Sequence, residues 1–155
     1  MIYHDDLRLK RCLAAGGALL TAVVVSVFLY VVRPAPSVQR VIFFPDETTH
    51  VWNGELREIP KQKTRELEIE YLTRELILGP TLPRHGRGIP RKTVLESVIL
   101  RNNALYVGFS EHLVFPPGDM LVGFDEILAG YRKTITYNYP RIDEIRILVD
   151  GIEQA

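Results

Sequence analysis

The feature that most constrains this chain is a run of twenty consecutive residues without a charge, LAAGGALLTAVVVSVFLYVV at 13–32. At about 1.5 Å per residue, a helix of this length reaches roughly 30 Å, which is the hydrocarbon thickness of a bilayer. A soluble helix of the same length carries a polar face, and this run has none. The sequence therefore predicts a transmembrane helix over residues 13–32.

The charges that flank this run predict how the chain is oriented in the membrane. Arg8, Lys10 and Arg11 precede the run, whereas Arg33 alone follows it directly. Because basic flanks stay on the cytoplasmic side, we expect residues 1–12 to form a cytoplasmic tail and the rest of the chain to be exported. The run exceeds a signal-peptide core of about 7–15 residues, and no small-residue cleavage pattern follows it. Both features favour an uncleaved, single-pass anchor.

The rest of the chain divides into a short linker and one folded domain. Residues 33–40, RPAPSVQR, predict an extended linker of about 3.1 Å per residue. We therefore expect a domain over residues 41–152 that stays close to the membrane. Residues 1–40 carry five basic and two acidic side chains, and the remainder carries fourteen basic and seventeen acidic ones. A mildly acidic domain lacks the excess of Lys and Arg that grips a nucleic-acid backbone, so no nucleic-acid partner is expected.

The first half of the domain shows two strand patterns and one helix pattern. The predicted elements are a strand over 41–45, a turn over 46–49, a weaker strand over 50–59 and a helix over 64–78. Asn53-Gly54 is typical of a hairpin or bulge and interrupts the weaker strand. Thr64 is a suitable N-cap, and Gly79-Pro80 ends the helix. Apolar residues recur at helical spacing, with Leu67, Tyr71 and Leu78 on one edge and Ile69, Leu72 and Leu76 beside them.

The second half shows two further strand patterns, a second helix pattern and a closing strand. The predicted elements are strands over 93–100 and 104–110, a hairpin turn at 101–103, a helix over 121–137 and a strand over 144–149. Phe124, Leu128, Tyr131 and Ile135 form one continuous apolar stripe on the second helix. The order β-β-α-β-β-α-β predicts an α+β fold, in which a mixed β-sheet is packed by two amphipathic helices.

The segment 78–93, LGPTLPRHGRGIPRKT, carries basic side chains and no acidic one. Its glycines offer backbone N–H groups to an anion. A phosphate loop normally leads into a helix N-terminus, however, and this segment leaves a helix C-terminus. A solvated connection is therefore favoured over an anion site. Within it, the candidate contacts to a partner or ligand are Arg84, His85, Arg87 and Arg91.

Two aromatic residues are further candidate contacts. Trp52 is the only tryptophan, and Phe115 precedes a pair of prolines. Each side chain either packs in the core or stands on the surface as an anchor for a partner. Core packing is the favoured interpretation for both.

No catalytic constellation emerges from the sequence. Ser110, Glu111 and His112 have the residue types of a triad, but neighbours in an extended chain point to opposite faces. No catalytic residue is therefore assigned. The alternative is an envelope hydrolase in which carboxylates such as Asp46, Glu111 or Asp150 act as acid and base on a glycan.

No metal or cofactor site emerges either. Asp46, Glu47 and His50 are the nearest cluster of ligand types, but zinc would need further His or Cys residues at suitable spacing. Cys12 is the only cysteine, and it precedes the apolar run. We therefore expect no metal, no cofactor and no intrachain disulfide.

Four short motifs in order carry a family resemblance. They are LILGP at 76–80, IPRKT at 89–93, GFS at 108–110 and VDG at 149–151. This pattern resembles the GerMN domain, the sporulation and spore germination domain of bacterial envelope proteins, from about residue 41 to 151. The family usually has an aspartate where this chain has Gly108.

The resemblance implies a function without catalysis. It implies an extracytoplasmic module of the bacterial envelope, related to sporulation or the cell wall, that acts in protein assembly or ligand binding. With the apolar run, it predicts a single-pass protein of the cytoplasmic membrane. The expected partners are the lipid bilayer through the N-terminal helix, an envelope protein or a second copy of the chain, and a cell-wall glycan. The alternative is a glycan- or peptidoglycan-binding protein or hydrolase.

Overall fold

The computed structural model describes residues 3–31, 36–115, 118 and 120–154. The chain divides into two compact units, Met1–Ala35 and Pro36–Ala155. The described elements are α1 Tyr3–Val31, β1 Ser37–Pro45, β2 Trp52–Pro60, α2 Arg65–Leu78, β3 Leu95–Arg101, β4 Ala104–Phe109, a 3-10 turn Glu111–Leu113, α3 Phe124–Asn138, β5 Glu144–Val149 and β6 Ile152–Gln154.

The first unit consists of helix α1 as far as it is described. Its side chains are described from residue 14 to residue 30, and all of them are exposed. Among the described residues, no helix is both long enough and apolar enough to cross a bilayer. The predicted transmembrane helix over 13–32 is therefore not supported. The side chain of Cys12 lies outside the described residues.

In the second unit, β1 and β2 form an antiparallel two-stranded sheet. The register runs from Ser37 opposite Pro60 to Pro45 opposite Trp52. Between the strands, Asp46 Oδ1 accepts hydrogen bonds from the N–H groups of Thr48 and Thr49, both at 2.9 Å. These bonds confirm the predicted turn. They also lower the pKa of the Asp46 carboxyl.

The structure corrects two predictions about this hairpin. Residues 37–40 belong to β1 rather than to the linker, and residues 33–35 of the linker lie outside the described part. Asn53-Gly54 does not interrupt β2, because both residues pair with β1. A Cβ atom on Gly54 would lie 2.7 Å from Val41 Cγ1. Glycine therefore serves close packing at this position rather than a turn.

Helix α2 confirms its predicted ends but corrects its predicted face. Thr64 Oγ1 accepts the N–H of Leu67 at 3.3 Å, and Gly79 adopts a left-handed φ of 96° beyond the last turn. The buried side chains are Ile69, Leu72, Thr73 and Leu76. Leu67, Tyr71 and Leu78 are exposed instead of lining the core. The face that packs is therefore narrower than the apolar pattern indicates.

The larger sheet has the strand order β3-β4-β5-β6. β3 and β4 form the predicted hairpin, with Asn102 and Asn103 at φ values of 49° and 63° in its turn, the region that asparagine tolerates best. β4 pairs in parallel with β5, so this sheet is mixed. β5 has its predicted bounds, and the short β6 was not predicted. The predicted mixed sheet thus consists of these four strands, while β1 and β2 form a separate sheet.

Helix α3 connects the two sheets to α2. It begins at Phe124, three residues later than predicted, and buries Leu128, Tyr131 and Ile135 of the predicted stripe. The Tyr131 ring packs edge-on against Phe109 at 5.4 Å, and its hydroxyl lies 3.0 Å from Thr73 Oγ1. Burial raises the pKa of Tyr131. The predicted α+β architecture is confirmed for the second unit.

Candidate binding site around the basic loop

Residues 79–93 connect α2 to β3 and are called the basic loop below. The buried carboxylate of Glu55 holds this loop in place. Glu55 of β2 is 5 % exposed. Its oxygens accept the backbone N–H of Thr81 at 3.1 Å, the Thr81 hydroxyl, and the N–H of Leu82 at 3.4 Å. The first residues of the loop are therefore fixed to β2 rather than free in solvent.

Arg57 joins the same carboxylate to the end of α2. Its Nε lies 2.6 Å from Glu55 Oε1, its Nη1 lies 2.9 Å from Glu75 Oε2, and its Nη2 donates to the carbonyl of Gly79 at 2.8 Å. Burial raises the pKa of Glu55, but the hydrogen bonds from Thr81 and Arg57 outweigh it and lower the pKa to about 2. Glu55 is therefore ionised at neutral pH.

His85 is the buried anchor in the middle of the basic loop. Its Nδ1 lies 3.3 Å from Glu55 Oε2, and because an ionised carboxylate only accepts, Nδ1 carries the donated proton. The ring stacks on Phe44 with centroids 6.4 Å apart. The next residue, Gly86, donates its N–H to the carbonyl of Pro45 at 2.8 Å. His85 is thus not an exposed contact residue, and the prediction of a solvated loop is wrong at this point.

Arg87 is also directed inward. Its Nη1 donates to the carbonyl of Leu78 at 2.9 Å, and its Nη2 donates to the carbonyl of Ile77. These carbonyls belong to the last turn of α2, where the helix dipole favours a cation. Arg87 therefore caps α2 and is not available for a partner. Of the predicted basic contacts, Arg84 and Arg91 remain exposed.

Trp52 and Phe115 have opposite surroundings. The indole of Trp52 is partly buried and lies so close to Gly88 and Gly130 that a Cβ on Gly130 would meet Trp52 Cη2 at 2.1 Å. Trp52 is therefore a packing residue between the basic loop and α3. Phe115 is exposed, so core packing is wrong for this residue, and its role as a contact stays a prediction.

Beside the basic loop, the end of α2 and the start of β3 form a groove of about 400 Å³. Its apolar lining comes from Ile77 and Leu78 on the helix and from Val94 and Leu95 on the chain that enters β3. We call this the α2–β3 groove. Thr93 also lines it, and the Thr93 Oγ1 atom is buried without a hydrogen-bond partner in the described part of the chain.

The residues that suggested catalysis have structural roles or lie on separate elements. Ser110 Oγ accepts the N–H of Val94, and Ser110 N–H donates to the carbonyl of Val94, both at 3.0 Å. Asp46 is committed to the β1–β2 turn, while Glu111 lies in the 3-10 turn and Asp150 follows β5. Across the described residues, no group of three or more His, Cys, Asp or Glu side chains is arranged to hold a metal ion.

The sequence profile of the Germane family, described as sporulation and spore germination, matches residues 41–155. That match covers most of the chain and all of the described strands beyond the first residues of β1. The chain belongs to the Germane family. A search of curated proteins finds no match.

Solved structures of Germane-type domains share this fold. The tandem GerMN domains of the sporulation protein GerM from Bacillus subtilis align with a TM-score of 0.57 at 17% identity, over 77% of this chain and 41% of that one. The first GerMN domain of the same protein aligns with a TM-score of 0.53 at 18% identity, over 76% and 86% of the two chains. The present chain therefore spans less than half of the tandem structure.

The Germane motifs surround the basic loop in this fold. Gly79 ends α2, Pro90 accepts the N–H of Thr93 at 3.0 Å, and Thr93 lines the α2–β3 groove. At Gly108, where the sequence departs from the family pattern, a Cβ would lie 2.6 Å from Ser97 Oγ. An aspartate there would require Ser97 on the neighbouring strand to move. Glu55, which organises the loop, lies outside every motif and has no local sequence signal.

Proposed function

We propose that this Germane domain is a non-catalytic protein-binding module of the bacterial envelope, and that the α2–β3 groove receives the partner. One observation carries this proposal. Leu78 and Val94 are 68 % and 58 % exposed, and they line the same groove. Large apolar side chains that share an exposed concave surface are typical of interaction sites.

The polar groups around the groove suit a protein segment. Arg74 lines the groove and pairs with Glu70 at 2.7 Å on the surface of α2. Thr93 offers a buried hydroxyl without a partner among the described residues, which suits a backbone group of the incoming chain. An apolar centre with a charged rim is the usual composition of an interface.

Hydrogen bonds from Arg57 and Arg87 fix the end of α2, which forms one side of the groove. Arg57 and Arg87 both bind carbonyls at the end of α2, and Glu55 fixes the start of the basic loop. Ordering these elements in advance lowers the entropic cost of association. Because these charged groups already form hydrogen bonds and ion pairs within the domain, they are not free to act in acid–base chemistry.

The proposal includes a location outside the cytoplasm, with α1 in contact with the lipid bilayer. It is supported by the charge-free run at 13–32, by the basic residues before it, and by the exposed side chains of residues 14–30. Fractionation with protease treatment of intact spheroplasts tests the location. Degradation of the domain without lysis supports it, and complete protection until lysis contradicts it.

The groove is tested by placing charge in its apolar lining. In Leu78→Glu and Val94→Glu, we expect the loss of a chemically crosslinked complex with an envelope protein or a second copy. Leu56→Glu is the matched control, because Leu56 is 61 % exposed on β2 and does not line the groove. An unchanged complex in both groove variants, or an equal loss in the control, contradicts the proposal.

A further inference from the structure

A second concave surface lies away from the basic loop, where β1, the start of α2 and the end of α3 meet. It is a pocket of about 270 Å³ whose lining includes Arg40, Arg65, Glu68, Tyr139 and Arg141. We call it the arginine pocket. Neither the family motifs nor the proposed protein contact involves it.

The pocket carries more positive than negative charge. Arg40 of β1 donates from Nη2 to Glu68 Oε2 at 3.0 Å, which neutralises one guanidinium. Arg65 and Arg141 also line the pocket, are exposed, and have no salt-bridge partner in the described part of the chain. Two positive charges are therefore left to face a small pocket that is open to solvent on one side.

Two buried polar atoms at the pocket also make no hydrogen bond of acceptable geometry among the described residues, although their side chains, Arg40 and Tyr139, lie close enough to influence each other electrostatically. The two atoms are Arg40 Nε and the hydroxyl of Tyr139. Tyr139 is 5 % exposed, and its ring lies under the Arg40 guanidinium at 5.0 Å from Cζ to the centroid. A buried donor without a partner is costly, so such atoms commonly meet a ligand or water. Here both donors belong to side chains that line one pocket.

The fold holds these donors in place. The N–H of Tyr139 donates to the carbonyl of Ile135 at 2.8 Å, and the carbonyl of Tyr139 accepts the N–H of Ile142 at 3.0 Å. Beside them, Asn138 bonds both the N–H and the carbonyl of Val41, next to Arg40. Burial raises the pKa of Tyr139, with the Arg40 charge opposing, so its hydroxyl is a donor at neutral pH.

We propose that the arginine pocket binds a phosphate dianion, either free phosphate or the terminal phosphomonoester of a phospholipid headgroup. Two unpaired guanidinium groups match its charge of about −2, and Arg forms bidentate hydrogen bonds with phosphate oxygens. The Tyr139 hydroxyl and Arg40 Nε supply donors at the buried end. Arg65 is the first residue of α2, where the helix dipole adds further positive potential.

Calorimetric titration of the full chain in neutral detergent tests this site with two probes, inorganic phosphate and glycerol 3-phosphate. We expect saturable binding by the unchanged protein. In the double variant Arg65→Gln/Arg141→Gln, affinity should fall by about tenfold or more, since hydrogen bonds to charged groups are lost. Arg101→Gln, an exposed arginine outside the pocket, should bind as the unchanged protein does.

Tyr139→Phe separates binding from folding. It removes an unpartnered hydroxyl and keeps the ring, so thermal stability should be equal or higher while phosphate affinity falls several-fold, by about the loss of one hydrogen bond. Tighter binding of inorganic phosphate assigns the pocket to free phosphate, and tighter binding of glycerol 3-phosphate assigns it to a headgroup. No saturable heat with either probe, or equal affinity in the double variant, overturns the proposal.

Discussion

His85 Nδ1 lies 3.3 Å from Glu55 Oε2, and both side chains are buried. One residue belongs to the middle of a glycine- and proline-rich loop, and the other belongs to strand β2. Together with the bonds from Thr81 and Leu82 to Glu55, this contact attaches the basic loop, which the sequence pattern suggests is solvent-exposed, to the interior of the domain. The stability of the basic loop therefore depends on a carboxylate far away in the sequence.

Replacing Glu55 by Gln should destabilise the domain. The amide retains the shape of the side chain, but it weakens the hydrogen bonds from Thr81, Arg57 and His85 that the charge strengthens. We expect a loss of about 1.5–3 kcal/mol in the free energy of unfolding, measured by urea denaturation. Glu58→Gln, an exposed change on the same strand, should stay within about 0.5 kcal/mol. Equal effects in the two variants would argue against the role of Glu55.

The same carboxylate should make stability depend on pH. The pKa of Glu55 is about 2 in the folded protein, below its ordinary value of 4.5. Its contribution is therefore complete above about pH 5 and is lost as the pH falls toward 2. The difference in unfolding free energy between the unchanged protein and Glu55→Gln should shrink between pH 7 and pH 3. A difference that is constant over this range would contradict the assignment.

Arg87 and Arg91 should behave differently although both are basic residues of one loop. Arg87→Gln removes two hydrogen bonds from the C-terminal carbonyls of α2, and we expect a loss of about 1–3 kcal/mol in the free energy of unfolding. Arg91 is exposed, so Arg91→Gln should change it by less than about 0.5 kcal/mol. Thermal denaturation of both variants measures the contrast. If Arg91→Gln were the more damaging change, Arg87 would not be the cap.

Replacing Gly130 by Ala should destabilise the domain because Trp52 occupies the space next to Gly130. Alanine is normally favoured over glycine inside a helix by about 1 kcal/mol. Here its Cβ would lie 2.1 Å from Trp52 Cη2, so Gly130→Ala should destabilise the domain by about 1–3 kcal/mol. In a Trp52→Leu background the clash is absent, and the cost should largely disappear. If Gly130→Ala destabilised the Trp52→Leu protein equally, the loss of stability would not come from a clash with Trp52.

Elements defined by neighbouring residues could be predicted from the sequence. The ends of α2 follow from Thr64 and Gly79-Pro80, and the bounds of β5 follow from alternation of apolar residues. Asn53-Gly54 was misleading, because the same dipeptide suits a turn or a closely packed strand, and only the facing Val41 decides between them.

The internal contacts of the basic loop could not be predicted in this way. Arg87 and His85 read as surface residues because their partners, the last carbonyls of α2 and the Glu55 carboxylate, are brought near only by the tertiary fold. The α2–β3 groove has the same origin, since Leu78 looks like a core residue on the helical pattern. The Leu78 side chain can be recognised as exposed only after the buried face of α2 is known.

Site-specific photocrosslinking in the native cell tests the proposed function most directly. A photoreactive amino acid is placed at position 78, at position 94, and at the exposed control position 56. We expect the same discrete protein adduct from positions 78 and 94 and none from position 56. No adduct from either groove position, or the same adduct from position 56, would contradict the claim that the α2–β3 groove binds a partner.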